Sequence, residues 1–357
     1  MKIVTLTWCC LILSVVSIAQ TAPKYSNEFL NLGVGGRALG MGGAQVSQVN
    51  DVTAGYWNPA GLAHSRGAIQ VYFMHNEYFA GIAQYDYSAL TAPIDTMRRI
   101  GFSVLRFGID DIANTIELKD NDGNIDYNRV TGFSAADYAF LVSYASKSAI
   151  SGLDYGANFK IIHRKVGDFA KAWGFGLDAG IQYQAGNWRT GAMLKDVTST
   201  FNAWSYTLND RTKEVFIQTG NEIPENGLEL TLPRLILGVS RQVNIKKFTI
   251  TPALDLETTF DGKRNTLVKT SFASIDPRIG VEGGYNNLVY VRAGVSNFQQ
   301  VTNIDGKKTT TIQPNIGVGI KLRNLAIDYA LTNIGNTNYL YSNVFSLRLT
   351  VNKQKKT

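Results

Sequence analysis

The chain has 357 residues, and its 35 Lys and Arg side chains exceed its 28 Asp and Glu side chains, which gives a formal net charge of +7. The only dense basic run lies at the carboxyl end, between Lys353 and Lys356. Nucleic-acid surfaces need basic clusters with interleaved aromatic residues, so nucleic acid is excluded as a partner. No apolar run after the first twenty residues reaches the roughly 20 residues of a membrane-spanning helix, which excludes a helical membrane protein. A transmembrane β-barrel stays open, because only every second residue of its strands meets lipid.

The first residues predict a signal peptide. Lys2 supplies a positive charge, the segment from Ile3 to Ile18 is apolar, and Ser17 and Ala19 are small residues at the positions that a signal peptidase reads. We expect cleavage after Ala19 and a mature chain that begins at Gln20. An uncleaved anchor is disfavoured because the apolar core is short.

The sequence offers few groups for catalysis or metal binding. Both cysteines, Cys9 and Cys10, lie in the predicted signal peptide, so the mature chain is expected to have no thiol and no disulfide. The three histidines, His64, His75 and His163, form no close pair and no zinc-binding motif, and no nucleophile-elbow motif is present. We therefore predict a protein that is not an enzyme and that holds no metal or other cofactor.

From Gly67 onward the apolar residues recur with period two, which is typical of half-buried strands. One such segment alternates Leu153, Tyr155, Ala157, Phe159 and Ile161 with Asp154, Gly156, Asn158 and Lys160. The pattern predicts about fourteen strands near 67–75, 80–92, 98–107, 136–146, 152–164, 173–185, 187–196, 233–243, 247–257, 278–286, 288–296, 313–322, 324–332 and 342–351. Most have the length that a tilted strand needs to cross a bilayer.

The connections between these strands alternate in length. Short links are predicted at 93–97, 147–151, 186, 244–246, 287 and 323, and long polar links at 108–135, 197–232, 258–277 and 297–312. An outer-membrane barrel has tight periplasmic turns, longer outer loops and both termini in the periplasm. A sheet in lipid must also close on itself, because an unpaired edge is too costly there. We therefore predict an all-β fold, a transmembrane antiparallel barrel, in the outer membrane of a Gram-negative bacterium.

The faces of the predicted strands differ in chemistry. The inward positions carry charges of both signs, at Asp154, Lys160, Asp178, Arg189, Lys195, Asp255, Glu257, Arg292, Asp328 and Arg348. Aromatic residues near strand ends are interpreted as girdles at the two membrane interfaces, namely Tyr72, Phe73, Tyr85, Tyr87, Tyr155, Tyr183, Tyr285 and Tyr329. A barrel of this size has a real interior, which must hold water or a plug.

Residues 20–66 show no alternation and are predicted to form that plug. The glycine-rich part is not a dinucleotide-binding loop, because further glycines follow where a long helix would have to begin. Glycines instead permit close backbone packing, and Asp51 and Asn58 are expected to cap two short helical turns, with Pro59 at the first position of the second turn. The predicted plug residues, structural in role, are Gly33, Gly35, Gly36, Gly40, Gly42, Gly43, Asn58, Pro59, Ala60 and Gly61.

A family resemblance rests on these residues. The run from Gly35 to Ala44, followed by Asp51 and by Trp57-Asn-Pro-Ala-Gly-Leu62, resembles the amino-terminal signature of the PorV/PorQ group of FadL-like outer-membrane proteins. The resemblance implies a fourteen-stranded barrel with an amino-terminal hatch inside it, in the outer membrane of a Bacteroidetes-like bacterium. The predicted organisation is a signal peptide at 1–19, a plug at 20–66, a barrel at 67–351 and a basic periplasmic tail at 352–357.

Two functions follow as hypotheses. The resemblance implies an accessory subunit of a protein secretion or assembly complex, related to type IX secretion, whose partners are a larger outer-membrane complex or secreted protein clients. The alternative is FadL-like transport, in which a hydrophobic small molecule enters from outside and leaves through the wall. The first is preferred here, because the inward positions are mostly Gly, Ser, Thr, Asn and paired charges rather than an apolar lining.

Overall fold

The computed structural model describes residues 25–65, 67–78, 81–119, 123–302, 306–334 and 341–352. The predicted signal peptide and residues 353–357 of the predicted tail lie outside these ranges. Among the described residues, no helix has both the length and the apolar character to cross a membrane.

The strands form one antiparallel sheet. Their bounds are β1 Ile69–Tyr78, β2 Ala83–Pro93, β3 Arg98–Asn114, β4 Thr131–Lys147, β5 Leu153–Val166, β6 Ala170–Ala185, β7 Trp188–Lys195, β8 Thr200–Tyr206, β9 Gly227–Thr231, β10 Arg234–Arg241, β11 Val243–Ile245, β12 Phe248–Thr259, β13 Val268–Lys269, β14 Ser274–Tyr285, β15 Val289–Thr302, β16 Lys308–Leu322, β17 Leu325–Thr332 and β18 Ser342–Val351. β1 pairs with β2 on one side and with β18 on the other, from Ile69 opposite Val351 to Glu77 opposite Asn343. The sheet therefore closes into a barrel and leaves no edge for lipid to meet.

The barrel wall contains fourteen strands, which confirms the predicted fold. β7 and β8 both pair with β6 and together make one wall strand, interrupted at 196–199. β9, β10 and β11 likewise make the next wall strand, since β9 pairs with β8, and β10 and β11 pair with β12. β13 is a short addition beside β14. The other twelve strands each cross the wall once.

The two ends of the barrel differ, as the loop lengths predicted. At the short-turn end the links span only a few residues, such as 186–187 and 323–324, whereas the opposite end carries the longest links, such as 115–130 and 207–226. Three of the predicted long loops are partly strand, because β3 and β4 keep pairing up to Asn114 opposite Thr131, β12 and β14 up to Thr259 opposite Ser274, and β15 and β16 up to Thr302 opposite Lys308. The segment 197–232, predicted as a single loop, contains β8, β9 and a helix, α3, at Asp210–Gln218.

Side chains alternate across the wall with the predicted parity. On β5, Phe159 is 43 % exposed on the outer face, whereas its neighbour Asn158 is 2 % exposed and points inward. The exposed outer positions of most strands are apolar, as lipid requires. One interpretation is wrong: Tyr72, Tyr85 and Tyr87 are buried inside the barrel rather than in an interfacial girdle. Since Phe73 is exposed, the adjacent Tyr72 has to face the opposite side of the strand.

The orientation of the barrel gives a first testable prediction. A protease site inserted after Gly220, which is exposed in a long loop, should be cut on intact cells, whereas one inserted after Gly186 in a tight turn should be protected until the outer membrane is opened. Immunoblotting for the fragments measures both. Cleavage at Gly186 but not at Gly220 on intact cells would invert the topology.

Candidate functional site

The segment 25–65 lies within the ring of strands and is almost entirely buried. It contains 3₁₀ turns at Glu28–Asn31 and Pro59–His64 and two short helices, α1 at Gly36–Gly40 and α2 at Ala54–Trp57. We call this part of the chain the inner segment. All ten residues predicted to form a plug motif are buried in it: Gly33, Gly35, Gly36, Gly40, Gly42, Gly43, Asn58, Pro59, Ala60 and Gly61.

The glycines allow the inner segment and the wall to meet backbone to backbone. A Cβ added to Gly40 would lie 3.0 Å from the Cα of Gly317 on β16. Gly42 has φ +65°, and an added Cβ there would lie 2.9 Å from the backbone nitrogen of Val295 on β15. Any larger residue at these positions would push the inner segment off the wall. The structure therefore gives this motif a packing role against strands far away in the sequence.

Asn58 does more than the predicted capping. Its side-chain oxygen accepts from the backbone N–H of Ala60, 3.2 Å away, which caps the turn that begins at Pro59. Its amide nitrogen donates to the carbonyl of Val46 at 2.9 Å and to that of Ile181 on β6 at 3.0 Å. Asn58 is fully buried. It therefore joins two parts of the inner segment to the wall, a role that a local capping pattern does not predict.

One side of the inner segment packs in an apolar cluster. Phe29, Leu30, Val34, Val52, Tyr56, Trp57 and Leu62 contact inward residues of β1 to β5, including Tyr72, Met74, Tyr85, Tyr87, Leu105, Leu141 and Ile162. This corrects the expectation of a lumen with few apolar inward positions. Aromatic residues of β1 and β2 that were assigned to girdles supply much of the cluster, because burial against the inner segment replaces contact with lipid.

The opposite side of the inner segment meets the wall through charges. Arg37 contacts Glu282 at 2.9 Å, and Glu282 also accepts from Arg292 at 2.6 Å. Asp51 pairs with Arg348 on β18. These carboxylates and guanidinium groups are mostly buried, so each one depends on its partner to offset the loss of hydration. The predicted inward charges thus bind the inner segment as well as each other.

The Asp51 pair gives a second prediction. Burial raises the pKa of the Asp51 carboxyl, but Arg348, Arg37 and a hydrogen bond from Thr53 outweigh it and hold this pKa below its ordinary value. Because this pKa is lowered, the ion pair stabilises the docked segment at pH values above 3.8, the ordinary pKa of the carboxyl group. The stabilisation is lost as the pH falls through the lower pKa of the folded state. The inner segment should therefore remain docked at pH 4.5.

Asp51→Asn should weaken the docking of the inner segment at neutral pH by about 1–3 kcal/mol, measured as faster proteolysis of this segment. Unchanged proteolysis would contradict this role.

A pocket lies above the inner segment at the long-loop end, with a volume of about 380 Å³. We call it the loop-side pocket. Its apolar part consists of Leu32, Leu39, Trp57 and Tyr78, which extend the apolar cluster to the open space. Its polar part is a set of ion pairs, in which Arg234 contacts Glu28 at 2.7 Å and Glu257 at 3.2 Å, and Arg264 contacts Glu28 at 3.0 Å. The pocket therefore presents one apolar side and one charge-paired side.

The wall strand made by β7 and β8 has a break next to this region, at 196–199, where the Val197 N–H still donates to the carbonyl of Leu177 on β6 at 2.8 Å. Asp196 and Ser199 have φ values of +55° and +57°, so the strand leaves the extended conformation there. A buried cluster covers the break: the Lys160 ammonium contacts Asp178 at 2.7 Å and Asp196 at 2.5 Å. Asn27 of the inner segment donates to Thr231 at 2.7 Å on the inside of the break. A void of about 20 Å³ lies between the inner segment and these residues.

A larger cavity, of about 900 Å³, lies below the inner segment at the short-turn end. We call it the turn-side vestibule. The inner segment separates it from the loop-side pocket, since Arg37, Gln48 and Asp51 form its floor. Its mouth is formed by turns of the wall, including Lys246, Lys247 and Arg323. The loop-side pocket and the turn-side vestibule thus differ in chemistry and lie on opposite sides of the inner segment.

The histidines take part in pairs and stacks rather than in a shared site. His64 contacts Asp154, and His75 contacts Asp86 at 2.7 Å. His163 stacks on Trp173 with ring centres 4.2 Å apart. Within the described ranges, no group of three or more His, Cys, Asp or Glu side chains is placed to hold a metal ion.

No protein-family model matches the chain, and no curated protein matches it. Solved structures do match. The CymD monoaromatic hydrocarbon channel is 14 % identical, with a TM-score of 0.56 over 91 % of this chain and 99 % of that one. The Pseudomonas putida toluene transporter TodX is 14 % identical, with a TM-score of 0.54 over 88 % and 96 %. A Pseudomonas aeruginosa FadL homologue is 13 % identical, with a TM-score of 0.51 over 88 % and 97 %. This chain therefore has the fold of FadL-like transmembrane barrels.

The predicted accessory role in a protein secretion complex is wrong. Solved structures that match almost the whole chain include a monoaromatic hydrocarbon channel and a toluene transporter, which favours the alternative hypothesis. The apolar cluster beside β1 to β5 also removes the reason for preferring the secretion role, which was the lack of an apolar lining. The predicted protein partners depended on that role and are not supported, whereas the bilayer remains the environment of the barrel.

Proposed function

We propose that this protein carries a hydrophobic small molecule across the outer membrane of a Gram-negative bacterium, as a transporter and not as an enzyme. The observation that carries the proposal is the loop-side pocket, whose apolar side is the open edge of a buried apolar cluster. A volume of about 380 Å³ lies in the range of small-molecule sites. The names of the matching structures, a monoaromatic hydrocarbon channel and a toluene transporter, agree with such a cargo.

The binding step follows from the hydrophobic effect. A ligand that covers Leu32 and Leu39 removes apolar surface from water, at about 25 cal/mol per Å². The ion pairs on the opposite side are already formed between protein groups, so the charges of Arg234, Arg264 and Glu28 are offset by their partners. The pocket therefore selects for apolar character.

The exit step uses the wall. The loop-side pocket and the small void behind the break share Asn31, so the two spaces meet at the inner segment. A hydrophobic molecule that passes Asn27 and Leu30 reaches the break at 196–199 and leaves sideways into lipid. The inner segment has to shift for this passage, because the void of about 20 Å³ is too small for a ligand.

In this proposal the inner segment is the plug that its motif predicts. The resemblance of its Gly-rich and Asn-Pro-Ala residues to the PorV/PorQ group supports a structural part for Gly40, Gly42, Asn58, Pro59 and Ala60. Contact of this segment with most of the inward wall supports a block to ions and water. A cleaved signal peptide at 1–19 would direct the chain to this membrane.

Uptake of radiolabelled toluene by intact cells tests the proposal. Cells that produce the protein should take up toluene faster than cells without it, and Leu39→Asp should remove the gain, because a carboxylate then replaces part of the apolar side. Ile217→Asp on α3 is the matched control, since Ile217 is exposed and does not line the pocket. Equal uptake with and without the protein, for toluene and for a long-chain fatty acid, would reject transport of hydrophobic molecules.

A further inference from the structure

The turn-side vestibule has a strong excess of positive charge. Eight basic side chains line it, at Arg37, Arg189, Lys246, Lys247, Arg292, Lys321, Arg323 and Arg348, against three carboxylates, at Asp51, Glu282 and Asp328. This is an excess of five positive charges among the described residues. The three carboxylates already contact arginines of the floor, namely Arg37, Arg292 and Arg348. Lys246, Lys247 and Arg323 add further positive charge at the mouth of the vestibule.

The mouth charges line the vestibule. Lys321 has the same strand parity as the inward-facing Gly317 and Gly319, while the neighbouring Ile320 and Leu322 are exposed on the outer wall. Lys246, Lys247 and Arg323 lie in tight turns at the rim and line the same cavity. Because these side chains share one cavity, a solute inside it can contact several of them.

The loop-side pocket shows that this excess is not a general property of the interior. Its arginines at 234, 264 and 278 face Glu28 and Glu257 in direct contact. Asparagines complete the turn-side mouth, at Asn244, Asn286, Asn287 and Asn324. Their amide groups donate hydrogen bonds to oxygen anions without adding charge.

We propose that the turn-side vestibule binds a small solute with several separated anionic groups, phosphates or carboxylates, that enters from the periplasm. The basic residues come from β7, from the turn between β11 and β12, and from the turn between β16 and β17, so they are distributed around the mouth. One monoanion contacts only part of this set, whereas a polyanion reaches several members at once. A cavity of about 900 Å³ has room for such a molecule. The site is independent of the cargo in the loop-side pocket.

Isothermal titration with tripolyphosphate tests the site, using the full-length mature protein in a maltoside detergent that contains no phosphate. The wild-type protein should bind tripolyphosphate, with an affinity that falls as salt rises. The double variant Lys246→Gln with Lys247→Gln should bind at least tenfold more weakly. The control is Lys165→Gln with Lys171→Gln, which removes the same charge from exposed positions on β5 and β6 that do not line the vestibule, and it should change the affinity less than twofold.

Several results would overturn the proposal. Equal weakening in both double variants would indicate general attraction to a positive protein. Binding of inorganic phosphate as tight as that of tripolyphosphate would remove the argument for several separated anionic groups. Anionic phospholipid that co-purifies with the wild type and resists displacement by tripolyphosphate would assign the mouth to lipid. Heat-modifiable migration of each variant in gel electrophoresis shows that its barrel is folded, so that loss of binding reports on the site.

Discussion

Phe159→Arg should destabilise the folded barrel by about 2–4 kcal/mol in a lipid bilayer, because it places a charge on the lipid-facing wall near mid-membrane. Phe159 is 43 % exposed on the outside and stacks on Phe175, with ring centres 6.2 Å apart. The residues next to Phe159 on the outer face of β5 are apolar, and Tyr155 and His163 lie farther along the strand, toward its two ends. No water is available at that depth to solvate a guanidinium group. Reversible unfolding by urea in lipid vesicles measures the change.

The control substitution needs an inward position with free space. Asn158 and Gln182 are unsuitable, because Asn158 donates to the carbonyl of Gly55 and Gln182 to those of Val46 and Val49, all in the inner segment. Thr249 lines the turn-side vestibule instead. Thr249→Glu should cost less than 1 kcal/mol, since the cavity of about 900 Å³ admits the side chain with its hydration and the basic lining attracts its charge. Equal losses at Phe159 and Thr249 would contradict the assignment of lipid-facing and inward positions.

Deletion of Gly33 to Leu62 should give a folded barrel that conducts ions. The fourteen wall strands pair with each other around the full ring, so their backbone hydrogen bonds do not depend on the inner segment. The inward wall charges that now contact it, such as Glu282 and Arg348, would then be hydrated by water that fills the lumen. Planar-bilayer recordings should show steady conductance for the deletion and little for the wild type, and heat-modifiable migration should persist.

Two outcomes of the deletion would be informative in opposite ways. A closed, non-conducting barrel would mean that residues outside 33–62 block the lumen, and the proposed plug would be rejected. Loss of the barrel itself would mean that the apolar cluster between the inner segment and β1 to β5 is needed for folding. Asn58→Ala is a milder change to the inner segment, since it removes the contacts to Val46 and Ile181 but keeps the chain length. It should raise the conductance only slightly.

The sequence by itself determined the strands of the barrel wall and which of their side chains face lipid. Alternation on β5 and β6 predicts which side chains meet lipid, because successive side chains of a strand point to opposite faces. Alternating link lengths predict the even strand number and the two different ends. The same parity also contained a signal that the first interpretation did not use: Tyr72 and Phe73 are adjacent, so they cannot both lie in a lipid-facing girdle.

The tertiary structure alone decided what fills the barrel. Gly40 lies against Gly317, and Arg37 pairs with Glu282, 245 positions away in the sequence. Such partners meet only after the sheet has closed and the inner segment has docked, and no local pattern encodes which strand faces which turn. The same holds for the break at 196–199, which depends on how Lys160 joins Asp178 to Asp196 across three neighbouring wall strands. Periodicity reports the environment of a strand, whereas the cavities depend on long-range contacts inside the ring.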